Sequence, residues 1–297
     1  MQPNKPHKPN TPNKLNEPYK PNKLSRPLHR WGLGVVFLVV LLGSYPWVIN
    51  RCAFFPEREN PLTGTHLPAG VEEVYIDTAD GERLHCYWLP QPDGDRVVIY
   101  FHGNAGHIGY RMPELQQLAA LGLNVLGVGY RGYGNSSGRP TEAGIYADGR
   151  AALHYVTQQR GYALDRVFVL GRSIGSTVAV EIGRAHPIGG MILVTPLTSG
   201  KAMARAHGFG LLSIFAGDRF NNLEKITRVR APLLILHGTE DTITPFYMGQ
   251  QLYDQAVAPK RFVTLQGGGH SDIGAPGHSA YWDPIAAFIR TPQKAFR

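Results

Sequence analysis

Three stretches carry the residue types that acyl chemistry uses: Gly171-Arg172-Ser173-Ile174-Gly175, His237-Gly238-Thr239-Glu240-Asp241 and Gln266-Gly267-Gly268-Gly269-His270. A serine hydroxyl becomes a useful nucleophile when a histidine takes its proton and an acid orients that histidine. The G-x-S-x-G pattern occurs twice, the second copy being Gly134-Asn135-Ser136-Ser137-Gly138, so context must separate the two. The first copy follows the apolar run Val167-Phe168-Val169-Leu170 and leads into the helix-compatible stretch from Ser176. That is strand, sharp turn, helix, the setting of a nucleophile elbow, with glycines where the tight turn leaves no room for side chains. The second follows Tyr130-Arg131-Gly132-Tyr133 and runs into Arg139-Pro140, so no helix can begin on its serines. Ser173 is the candidate nucleophile, and Ser136 belongs to a loop. A third pattern, Gly127-x-Gly129-x-x-Gly132, imitates a dinucleotide fingerprint, but its first glycines fall inside a strand and no helix follows.

The acid and the base should lie on loops at the carboxyl ends of later strands. Asp241 follows the run Pro232–Leu236, and His270 follows Arg261–Leu265. The order Ser173, Asp241, His270 is the one an α/β-hydrolase requires. Glu240 and His278 are the nearby alternatives. The glycines at 267–269 favour a close approach by His270, and Asp272 reads as a loop hydrogen-bonding residue. Attack on a carbonyl develops an oxyanion that backbone N–H groups must meet. One donor is Ile174, next to the nucleophile. The other should come from the loop after Arg96–Phe101, which reads His102-Gly103-Asn104-Ala105-Gly106. Asn104 N–H is assigned, with Ala105 as the fallback and His102 as a support for the turn.

No H-E-x-x-H or paired C-x-x-C spacing occurs, so the sequence indicates no metal site, and the reaction so described needs no cofactor. The two cysteines, Cys52 and Cys86, are too few for a disulfide framework and could form at most one pair. The net charge of +8 is concentrated in residues 1–30, which hold seven Lys/Arg and one Glu. With no basic run in the rest of the chain, a nucleic-acid partner is not indicated.

Around these residues the chain divides into a basic Pro/Asn/Lys-rich tail expected to be disordered (1–30), a transmembrane signal anchor (31–50) and a catalytic domain (51–297). The tail repeats Lys-Pro-Asn with few apolar residues. Trp31–Ile49 holds no charge over 19 positions and has tryptophans near both ends, long enough to cross roughly 30 Å of hydrocarbon. No cleavage-type small-residue site follows it. The basic tail before the span places the N-terminus in the cytoplasm and the large domain outside, periplasmic in a bacterium. From Val71 onward, short β-branched runs alternate with helix-like stretches, predicting a mostly parallel eight-stranded sheet with helices on both faces. The first two strands, 71–76 and 83–89, form an antiparallel edge hairpin turned at Ala79-Asp80-Gly81. Helices are predicted over 110–121, 142–159, 174–186, 246–256 and 281–290, and a short lid over 197–220.

These motifs resemble those of α/β-hydrolases of the BEM46-like, ABHD13- and ABHD17-like type, grouped with serine aminopeptidase S33 domains. The likeness runs through FFPERE, FHGNAGHIGYR, YRGYGNSSGRPTEAG, LGRSIGSTVA, TPLTS, PLLILHGTEDTITPFYMGQQLY and GGGHSD. It implies a serine hydrolase with Ser173, Asp241 and His270 as its triad, and it makes the loop 130–142 a structural signature of the group. Thr195 departs from the residue usual before Pro196. The expected function is a membrane-anchored serine hydrolase acting on a small-molecule or lipid-like ester or thioester. A peptidase or amidase of the S33 type, and a non-catalytic membrane-tethered interaction protein, are the alternatives.

Overall fold

The computed structural model of the protein describes residues 53–292 apart from 211–212, 214–216 and 276. The expected disordered tail and membrane anchor lie outside these residues. Among the described residues no helix is long and apolar enough to cross a membrane.

The strands are β1 (Phe55–Pro56), β2 (Glu72–Asp77), β3 (Arg83–Leu89), β4 (Val97–Phe101), β5 (Ala105–Gly106), β6 (Asn124–Val128), β7 (Val167–Arg172), β8 (Gly190–Val194), β9 (Leu233–Gly238) and β10 (Lys260–Leu265). The helices are α1 (Met112–Ala120), α2 (Glu142–His154), α3 (Gly175–Ala185), α4 (Gly200–Ala206), α5 (Asn222–Lys225), α6 (Phe246–Gln255) and α7 (Ser279–Arg290). Eight strands make one sheet in the order β10-β9-β8-β7-β4-β6-β3-β2. All pairs from β10 to β6 are parallel, and β6–β3 and β3–β2 are antiparallel. The edge hairpin is therefore where the alternating pattern puts it. Its turn closes through Gly81 N–H donating to the Thr78 carbonyl at 3.0 Å, with Gly81 at φ +88°.

The central strands are apolar on both faces because both are covered. Val97, Ile99 and Phe101 of β4 pack into one core and Val98 and Tyr100 into the other. Each such side chain taken fully out of water contributes roughly 1.5–3 kcal/mol. The predicted helix over 142–159 is α2 followed by a wider π turn, Tyr155–Gln159. Thr141 starts it by accepting the Gly144 N–H at 3.0 Å. In the predicted lid, α4 is capped by Ser199 Oγ, which accepts the Ala202 N–H at 3.1 Å.

The chain runs from β4 to β6 on one side and then crosses to β7 on the other. The carboxyl ends of β4 and β7 thus flank a topological switch point, the place where open α/β sheets form a crevice. The loops after β4, β7, β9 and β10 carry Asn104, Ser173, Asp241 and His270.

Candidate active site

Ser173 follows β7 directly and sits at φ +52°, a left-handed conformation that non-glycine residues avoid. The chain accepts it because the turn from β7 into α3 leaves no wider path. A Cβ on Gly171 would lie 2.4 Å from the Gly175 carbonyl oxygen, and one on Gly175 would lie 2.2 Å from that of Phe101. Both motif glycines are demanded by backbone approach. Ser173 N–H donates to the Val194 carbonyl at 2.9 Å, anchoring the turn on β8.

His270 Nε2 lies 3.1 Å from Ser173 Oγ, and its Nδ1 lies 2.8 Å from Asp241 Oδ2. Ser173 is 8% exposed and the Asp241 side chain is fully buried. Asp241 Oδ1 accepts the N–H groups of Ile243 (2.9 Å) and Thr244 (2.8 Å). Thr244 Oγ1 lies 2.8 Å from Asp241 Oδ2, 3.0 Å from the Thr195 carbonyl and 3.1 Å from His270 Nδ1. Burial alone would raise the Asp241 carboxyl, but hydrogen bonds from His237 and His270, and from the Thr244 backbone, outweigh it and hold the group well below its usual range. Asp241 is thereby kept as a carboxylate facing the imidazole. The other candidates are elsewhere. Glu240 is exposed, with its N–H donating to the Gly268 carbonyl. His278 precedes α7 and its Nδ1 pairs with the Ile273 carbonyl at 2.9 Å. Asp272 accepts the Gly269 N–H at 2.8 Å, closing the turn beside His270.

The loop after β4 lies against the nucleophile: a Cβ on Gly103 would be 3.6 Å from Ser173 Cβ. Asn104 Oδ1 accepts from the Phe55 N–H (3.1 Å) and the Tyr133 hydroxyl (3.0 Å), so the side chain fixes the loop. Ile174 is the N-cap of α3, where amides have no intrahelical acceptor and the helix dipole favours negative charge.

His102 supports the turn, as its position before Gly103 suggests. Its Nδ1 donates to the Gly103 carbonyl at 2.6 Å, and its ring lies 4.4 Å from that of Tyr130. Its Nε2 has no partner among the described residues. Burial pushes the imidazole down to about 3. The folded value is thus below the unfolded one near 6.5, so the stability from keeping His102 neutral is complete above that pH and is lost as the pH falls toward about 3. The expected slope from this one group is about 1.4 kcal/mol per pH unit. Burial shifts His85 and His107 the same way. Denaturant midpoints between about pH 7.5 and pH 5 should fall with acid in the wild type and less steeply in His102→Gln. Equal slopes would show that His102 does not carry the effect.

The second glycine-serine copy is structural. Ser136 Oγ donates to the Gly129 carbonyl at 3.0 Å and accepts the His85 N–H at 2.9 Å. Ser137 Oγ accepts the Arg83 N–H at 2.8 Å. The glycines of the third pattern, Gly127 and Gly129, face side chains and the His85 carbonyl, with no opening for a pyrophosphate. Cys86 is a buried free thiol in β3, pushed up to about 12 by burial, and Cys52 lies outside the described residues. No group of residues among those described could hold a metal ion.

Sequence reasoning missed His237, Thr244 and Arg172. His237 is fully buried, with Nε2 2.8 Å from the Thr244 carbonyl and 3.4 Å from Asp241 Oδ2. It stands in the same five-residue stretch as Asp241, a signal that the spacing offered. Thr244 carried no such signal.

A family model described as serine aminopeptidase, S33, matches residues 92–224, and one described as TAP-like protein matches 217–295. An uncharacterised protein of Mycobacterium tuberculosis is 35% identical over 266 residues, covering 86% of this chain and 94% of that protein. Alpha/beta hydrolase domain-containing protein 17B of Homo sapiens is 31% identical, covering 74% and 75%. The Caenorhabditis elegans alpha/beta hydrolase domain-containing protein aho-3 is also 31% identical, covering 84% and 73%. Among solved structures, an esterase of Pyrococcus furiosus superposes with a TM-score of 0.67 at 20% identity, covering 80% of this chain and 97% of that one. The strand order, the strained serine between two obligatory glycines and these relatives agree: the chain belongs to the α/β-hydrolase family.

Proposed function

We propose that the protein is a membrane-anchored serine hydrolase that cleaves a carboxylic ester or thioester through an acyl-enzyme. The observation that carries this reading is His270, whose two ring nitrogens reach Ser173 Oγ at 3.1 Å and Asp241 Oδ2 at 2.8 Å. In the proposed reaction His270 Nε2 takes the Ser173 proton as Oγ attacks the acyl carbon. The amides of Asn104 and Ile174 receive the oxyanion. His270 returns the proton to the departing alcohol or thiol, and a water molecule, deprotonated the same way, releases the acid. Asp241 selects the tautomer with Nδ1–H and stabilises the imidazolium. The esterase among the fold's neighbours is consistent with ester chemistry.

The match to a model described as serine aminopeptidase favours, as a second reading, a peptidase or amidase with the same triad. Hydrolysis rates on p-nitrophenyl esters, acyl thioesters and aminoacyl anilides separate the two. An ester or thioester preference supports the first reading, and faster anilide cleavage would replace it. A non-catalytic tethered protein would react with none of them.

The anchor proposal rests on the uncharged stretch Trp31–Ile49 and the basic tail before it. Reporter fusions on either side of residues 31–50 are expected to place the N-terminus in the cytoplasm and the hydrolase domain outside. A cytoplasmic signal from a C-terminal fusion would reverse that orientation.

A further inference from the structure

The motif position between Gly171 and Ser173 is free in the general pattern, and here it is filled by a buried arginine. The Arg172 side chain is 5% exposed. Its Nη1 donates to Glu114 Oε1 of α1 at 2.7 Å, and its Nη2 donates to the main-chain carbonyl of His270 at 3.1 Å. The other Glu114 oxygen accepts the Tyr100 hydroxyl from β4. Gly274 leaves room for the arginine, since a Cβ there would lie 3.3 Å from Nη1. Burial opposes the charge of Arg172, but Glu114 beside it outweighs that and raises the guanidinium further.

Ser173 and His270 sit at the ends of β7 and β10, with β8 and β9 between them. The histidine loop carries Gly267, Gly268, Gly269, Gly274 and Gly277, which gives it little stiffness of its own. Its main-chain ties before His270, Gly268 N–H to the Leu265 carbonyl, Glu240 N–H to the Gly268 carbonyl and Gly267 N–H to Thr239 Oγ1, hold it to β10 and the neighbouring β9 loop, and beyond His270 the Ala275 carbonyl accepts the Trp282 indole N–H of α7. The Arg172 contact is the one that joins the residue before the nucleophile to the backbone of the residue that must take its proton.

We propose that Arg172 is a positioning residue: its guanidinium, held by Glu114, grips the His270 carbonyl and sets the separation of the imidazole from the Ser173 hydroxyl. This rests on the serine hydrolase reading and extends it to the group that keeps nucleophile and base in register. An arginine suits the task because its planar fork presents two N–H groups in fixed directions, one to a carboxylate and one to a carbonyl. A lysine ammonium is a single point that satisfies one partner well.

The test uses the full chain with p-nitrophenyl acetate, comparing wild type with Arg172→Ala, Arg172→Lys and Glu114→Gln, each checked for folding by circular dichroism. Misplacement of a catalytic group by about 1 Å costs about 100-fold in rate. Arg172→Ala is therefore expected to lose about that much kcat with little change in KM, and Arg172→Lys to be intermediate. Glu114→Gln, which keeps an acceptor oxygen for Nη1 but removes the charge that holds the guanidinium, should fall between wild type and Arg172→Ala. Millimolar guanidinium chloride should restore part of the Arg172→Ala rate, and sodium chloride at equal ionic strength should not. A folded Arg172→Ala with wild-type kcat overturns the proposal. So does an Arg172→Ala loss that appears as a raised KM at unchanged kcat and is indifferent to guanidinium. If Arg172→Ala does not fold, wild-type kcat in a folded Arg172→Lys overturns it, and a reduced kcat at unchanged KM supports it. A wild type inert toward both the ester and a fluorophosphonate probe is a different result, which removes the hydrolase reading and this proposal together.

Discussion

Ser173→Ala is expected to lose fluorophosphonate labelling and to lower kcat on an aryl ester by about 10⁶-fold, the scale seen when a triad nucleophile is removed. Ser136→Ala should keep both. Their effects on stability run the other way. Alanine at 173 retains the left-handed backbone at φ +52° and removes one hydroxyl from a site that is otherwise unchanged, so the unfolding midpoint should move little. Removing the Ser136 hydroxyl leaves the buried His85 N–H and Gly129 carbonyl without their partner, a cost of about 1–3 kcal/mol. One serine thus governs activity and its twin governs stability, and paired labelling and melting measurements read both. Labelling of Ser173→Ala at the wild-type rate would remove Ser173 from the chemistry.

Asp241→Asn is expected to lower kcat by about 10⁴-fold while leaving the fold intact. Oδ1 of either residue accepts the Ile243 and Thr244 N–H groups, so the loop has no reason to move. The change falls at Oδ2, 2.8 Å from His270 Nδ1. An amide nitrogen placed there would donate toward Nδ1, moving the imidazole proton to Nε2 and turning a hydrogen-bond donor toward Ser173 Oγ. The base could then no longer accept the serine proton. Thr244 Oγ1, at 3.1 Å from Nδ1, accepts from the ring in one tautomer and offers a weak substitute for the carboxylate. Aryl-ester kcat for the folded variant measures the effect. Retention of activity within about tenfold would place the orienting acid elsewhere, with Glu240 the first to examine.

Much of the candidate site could be read from the linear chain because its parts are local. The two G-x-S-x-G copies were separable by the apolar strand before one and the proline after the other. A Cβ on either glycine flanking Ser173 would lie 2.2–2.4 Å from a backbone oxygen, which is why no other residue would serve there. The antiparallel edge was visible in the polar residues mixed into 71–76 and 83–89, which the buried parallel strands lack. The π turn at Tyr155–Gln159 was not visible, since one widened turn hardly alters the spacing of apolar residues.

Residue types, their order along the chain and the strand-ending loops that carry them follow from the sequence alone, because short-range patterning dictates strands, turns and helices. Tertiary structure alone decided which groups meet. Arg172 and Glu114 are 58 positions apart, and Arg172 and His270 are 98 apart. Thr244 finds the Thr195 carbonyl across 49. Such contacts leave no periodic trace, since they depend on sheet order and on the depth at which each loop packs. The sequence determined that Ser173, Asp241 and His270 stand on three separate loops. The crossing of the chain from β6 to β7, which sets the β4 and β7 ends side by side, determined that those loops face one another.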